Sequence, residues 1–92
     1  MLSLALTLSL LADLGPLPMR ETSRVLAETR RSLGFKISRK MVELHLKHAM
    51  RKGLAEVATV DGEPCYRVTE AGKEFLRKTL GERKLVAFEP PV

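Results

Sequence analysis

Residues 38–54 read SRKMVELHLKHAMRKGL, a basic run with two histidines that stops at Gly53 and resumes at Leu54. Ser38 stands where a helix N-cap belongs, its hydroxyl placed to accept a hydrogen bond from a free amide of the first turn. Val42, Leu46, Ala49 and Met50 recur at helical spacing and predict an inward face. Gly53 suits the C-terminal cap, from which Leu54 turns back onto a core. That leaves Arg39, Lys40, Glu43, Leu44, Lys47 and Arg51 outside.

Upstream, residues 15–35 read GPLPMRETSRVLAETRRSLGF. Pro16 and Pro18 break the chain, with Leu17 between them in a short strand, and a helix then runs from Met19 to Leu33 with Gly34 as its cap. Thr22, Val25, Leu26, Thr29 and Leu33 lie near its inner face. Arg20, Arg24, Glu28 and Arg31 lie opposite, and Arg24 and Glu28 are spaced as an i,i+4 pair. Downstream the period changes to that of strands. LAEVATV and CYRV are short β-branched runs joined by DGEP, and Asp61-Gly62 is a hairpin signal because both residues tolerate positive φ. Thr69 then caps a last helix, EAGKEFLRKTL, with Phe75, Leu76 and Leu80 inward and Gly81 as its stop. The tail 82–92 carries one apolar patch, Leu85 to Phe88, before two prolines.

The chain begins MLSLALTLSLLADLG. Its apolar run is shorter than the ~20 residues of a membrane span, and a signal peptide would want Lys or Arg before it and small residues at a cleavage site. Alternating leucines fit a half-buried strand, but leucine favours helix and the residues between are Ser, Ala and Thr, so a helix ending near Gly15-Pro16 is expected. Wrapped as a helix, its leucines fall on every side. Either a symmetric partner covers those that the core does not, with Leu4, Leu8 and Leu11 as the dimer interface, or the helix lies wholly inside the monomer.

The 92 residues suit one domain, here 1–81 with a tail 82–92, and one modest core. Sixteen Lys and Arg against eleven Asp and Glu give +5. Ten basic and three acidic residues between Arg20 and Lys52 make that segment +7 and leave −2 for the remainder, which favours an acidic partner for the segment. Cys65 is the only cysteine, which suits a reducing, cytoplasmic setting, and the absence of any Asn or Gln fits a thermophilic source.

SRKMVELHLKHAMRKGLAEV followed by YRVTEAGKEFL resembles winged helix-turn-helix regulators of the PadR, MarR and ArsR kind, at the recognition helix and at the strand leaving the wing. The likeness spans roughly residues 3 to 80. It implies an α+β, mainly α fold: a three-helix core, a two-stranded wing hairpin and a C-terminal helix. It also implies a homodimer that regulates transcription by binding double-stranded DNA, with helix 38–52 in the major groove and Arg39, Lys40, Glu43, Leu44 and Lys47 at the groove-facing positions. Lys36, Ser38 and Arg51 complete the expected contact set.

Three features depart from that pattern. Asp61 and Glu63 at the hairpin tip repel phosphate, so Arg67 is the one expected wing contact. The usual bidentate readers of adenine are missing, because there is no Asn or Gln. Leu44 is apolar on a polar face, suited to a thymine methyl or to a protein contact. A winged helix used for protein contacts in a larger assembly, or a weakly sequence-specific chromatin-like DNA binder, are the alternatives. His45 and His48 are three apart but lack the second ligand pair of a zinc site, so no metal or other cofactor is expected. His45 is expected beside the core and His48 at the helix flank. With no Gly-rich phosphate loop, no base to activate Cys65 and no carboxylate pair, neither an enzyme nor a small-molecule site is expected.

Overall fold

A computed structural model describes residues 2–88, with side chains for 2–81. The order is α1 (Leu2–Leu14), β1 (Leu17–Pro18), α2 (Met19–Ser32), α3 (Arg39–Arg51), β2 (Ala55–Val60), β3 (Glu63–Val68) and α4 (Glu70–Phe88). The class is α+β, mainly α. β2 and β3 pair antiparallel from Ala55↔Val68 to Val60↔Glu63, and Asp61 (φ 51°) with Gly62 (φ 79°) makes the two-residue turn that the Asp-Gly pair predicts. Beyond the expected two-stranded hairpin the sheet has a third strand. Leu17 and Pro18 pair with Tyr66 and Cys65, giving the order β1-β3-β2 with Pro18 on an edge strand, where a missing N–H is tolerated.

The helix ends follow the chemistry read from the sequence. Ser38 Oγ accepts from Met41 N at 3.1 Å. At the other end of α3, Gly53 has φ +74°, its N–H donates to Met50 O, and Leu54 N–H donates to Ala49 O at 2.8 Å, the paired bonds of a Schellman cap. The same pair of bonds closes α2 at Gly34 and Phe35. Thr69 ties two elements together: its Oγ donates to Gly53 O at 2.6 Å and accepts from Gly72 N at 3.0 Å, so the start of α4 is held against the end of α3.

The core draws Leu26 and Ala27 from α2, Val42, Leu46 and Ala49 from α3, Leu54 from the turn, and Ala55 and Val68 from the sheet. Leu4, Leu8 and Leu11 join them at 5%, 0% and 0% exposure. This corrects their assignment to a dimer interface. Spaced i, i+4, i+7, the three share one face of α1, and that face is the one α2, α3 and the sheet cover. Leu2, at 62% exposure, is on the outer side, and Leu6 is half-buried.

Two inward assignments also change. Met50 is 37% exposed and Leu33, the C-cap of α2, is 48% exposed. Phe75 and Leu76 pack against the core half-buried, and Leu80 is half-buried too. Helical conformation breaks at Gly81 (φ 64°, ψ −177°), but the backbone resumes as helix to Phe88, so the expected tail is helical in its first part. The side chains of the Leu85–Phe88 patch, and Glu89 to Val92 altogether, lie outside the described residues. Among the described residues no helix is long and apolar enough to cross a membrane.

Candidate nucleic-acid interface

The cap at Ser38 and the buried line Val42, Leu46, Ala49 fix how α3 is rotated. With that line inward, Arg39, Lys40, Glu43, Leu44, Lys47 and Arg51 are all exposed, as are Lys36 and Ser38 in the lead-in. Ser38 spends an oxygen lone pair on the cap, and its hydroxyl proton stays available to an outside acceptor.

Charge pairing distinguishes this helix from most of the remaining surface. Arg20 meets Glu63 at 3.0 Å, Arg24 meets Glu21 and Glu28 at 3.0 and 3.4 Å, Lys73 meets Glu70 at 3.2 Å, and Arg77 meets Glu74. Lys36, Arg39, Lys40, Lys47, Arg51 and Lys52 form no ion pair among the described residues, and of the exposed cations elsewhere only Arg31 on α2 and Lys78 on α4 share that state. Six cations held along one helix and its ends, with their charge uncompensated, make a surface to which a polyanion adds its own counter-charge.

Glu43 is the single acid of α3, and it turns sideways, accepting from Ser23 Oγ of α2 at 3.3 Å. A cleft of 310 Å³ opens there between α2, α3 and β3, lined by Arg39, Lys47, Glu43, Ser23, Arg20 and Tyr66 among others. Arg39 and Lys47 thus border a cleft, whereas Lys40, Leu44 and Arg51 are not among its lining residues.

The hairpin carries less free charge of either sign than the sequence suggests. Glu63 is taken up by Arg20, which leaves Asp61 as the acid at the tip. Arg67, expected as the wing contact, holds Glu56 across the sheet at 2.6 Å, directly opposite in register. Its guanidinium is therefore already compensated.

A buried polar cluster behind α3 was not foreseen. Arg30, one of the ten basic residues in the +7 segment, is 5% exposed. Its Nη1 donates to Ser3 O, Ser3 Oγ and Thr7 Oγ at 3.1, 3.2 and 3.1 Å, and its guanidinium lies 6.0 Å from the centroid of the Phe35 ring. Arg30 Nε is buried without a hydrogen-bond partner among the described residues. Thr7 Oγ also meets His45 Nδ1 at 2.8 Å. Burial and then the Arg30 charge hold His45 below the ordinary histidine pKa, and burial lowers that of Arg30. The signal for this cluster was present as Ser3 and Thr7, two hydroxyls one turn apart in a leucine-rich helix. His48 is exposed at the helix flank, and no three metal-ligating side chains come together among the described residues.

Compared with known proteins, the chain matches no family model, and no curated protein is significantly similar to it in sequence.

Proposed function

We propose that the chain is a DNA-binding transcription regulator of the winged helix-turn-helix type, with α3 in the major groove. The observation that carries this is the concentration of six uncompensated cations on and around α3, whereas elsewhere Arg20, Arg24, Arg67, Lys73 and Arg77 are acid-paired and only Arg31 and Lys78 are exposed without an acid partner among the described residues. The element order and the β1-β3-β2 sheet agree with a winged helix, and α3 presents its basic side away from the core, as a groove helix must. Arg39, Lys40, Lys47 and Arg51 supply phosphate and base contacts, Lys36 and Ser38 approach the backbone at the helix start, and Arg67 plays a minor part because Glu56 holds it. The regulator acts as a cytoplasmic homodimer on a palindromic site, its two recognition helices about 34 Å apart.

Equilibrium binding to duplex DNA tests the proposal. The triple variant Arg39→Ala, Lys40→Ala, Lys47→Ala should keep its thermal melt, since none of the three is buried, and should bind at least tenfold more weakly at moderate salt. Equal affinity of variant and wild type would remove α3 from the contact. The second reading, a winged helix that docks on a protein, is favoured by the exposure of Leu44 and Met41 (51% and 44%) on the same helix. It requires that duplex binding be absent altogether.

A further inference from the structure

Phosphate chemistry does not explain Leu44. It is 51% exposed, and at about 100° per residue it lies roughly opposite Val42, Leu46 and Ala49, the side chains that α3 buries. Leu44 is therefore the apex of the helix as an approaching ligand meets it. Within about 60° of that apex lie Lys40, Lys47 and Arg51 on one side and Met41 and His48 on the other, all of them exposed. Glu43 stands about a quarter-turn away and is engaged by Ser23, so the apex holds no carboxylate.

A lysine in this place would serve a phosphate better than a leucine does. The floor of the major groove offers one apolar group, the 5-methyl of thymine, and the acceptors O6 and N7 of guanine suit Lys and Arg. We infer that Leu44 packs on a thymine methyl while the flanking Lys40, Lys47 and Arg51 donate to neighbouring guanines, so that each half-site mixes T and G. The inference rests on α3 being the groove helix and adds which base edges the helix reads. Composition agrees with it, because no Asn or Gln exists anywhere in the chain to make the paired bonds that single out adenine.

The test starts from duplexes that the full chain selects out of a random pool. The enriched site is remade with each thymine in turn replaced by deoxyuridine, which lacks only the methyl. One thymine per half-site should prove sensitive, its replacement weakening wild-type binding about fourfold, the worth of one buried methyl group. Leu44→Ala, checked by its thermal melt, should bind more weakly by a similar factor and ignore that replacement, and Leu44→Met should retain the sensitivity. A selected site with no uridine-sensitive thymine overturns the inference and leaves the DNA-binding proposal standing, as does undiminished sensitivity in Leu44→Ala. A pool enriched for nothing overturns it too. No duplex binding even at low salt overturns both.

Discussion

At the scale of single residues, the positions that matter most for folding are not those the charge pattern draws the eye to. Gly72 is buried, and a Cβ there would overlap the Leu54 carbonyl oxygen, which already accepts from Thr69 N, and would come within 2.6 Å of Val68 Cγ1. Backbone on one side and a packed valine on the other leave little to give, so Gly72→Ala should destabilise the chain by about 2 kcal/mol or more in denaturant melts. A loss under half of that would mean that α4 shifts to make room. His45 allows a prediction with a definite sign. Its folded pKa is depressed by burial and then by Arg30, so between its unfolded value of about 6.5 and the lower folded value the unfolded chain binds more protons. Stability is then fully present above that window and falls as pH drops through it. Melts of wild type and His45→Gln between about pH 8 and pH 5 should show the wild type losing stability relative to the variant. Parallel curves would contradict the arrangement. Sequence placed His45 beside the core correctly but gave Arg30 no more than a place in the +7 count, because one-dimensional charge carries no sign of burial. Only the fold brings the hydroxyls of Ser3 and Thr7, some 23 to 27 positions away, against its guanidinium.

At the scale of elements, what is encoded locally was readable and what depends on packing angle was not. Ser38, Gly34, Gly53, Asp61-Gly62 and Thr69 act within a few residues of themselves, and each forms the cap or turn its chemistry predicts. Leu17 in a short strand was also readable, although its pairing with Tyr66 across nearly fifty residues was not. The leucines of α1 carry no such local answer. Spread round the whole circumference, they define no preferred face, and only the docking of α2, α3 and the sheet decides that Leu4, Leu8 and Leu11 go inside. A carboxylate at Leu8, which has no solvent exposure, should abolish cooperative unfolding, whereas Leu2→Glu should leave circular dichroism and the melt nearly unchanged. The same two variants separate roles in assembly: if Leu2 belongs to a dimer interface, Leu2→Glu yields a folded monomer by light scattering. A folded Leu8→Glu variant would contradict the position of α1 in the core.

At the scale of the whole molecule, the described residues distribute charge unevenly, with cations that lack acid partners concentrated on α3 and its flanks and most other cations neutralised in place. The sequence carried this distribution in outline as the +7 segment. It did not carry the pairing of Arg20 with Glu63 or of Arg67 with Glu56, which join elements distant in the chain and take charge out of play at the hairpin. Apart from Arg31 and Lys78, the exposed cations left unpaired among the described residues form a helix-centred patch, and if that patch meets DNA as proposed its physical signature is release of counterions from the duplex backbone. The salt dependence of duplex binding measures this most directly. Wild type should lose affinity steeply as salt rises, and Arg39→Ala, Lys40→Ala, Lys47→Ala should give a log-log slope shallower by up to about 3, close to one for each cation that meets a phosphate. Identical slopes for the two proteins, or binding that ignores salt, would contradict the assignment of α3 as the DNA-contacting helix.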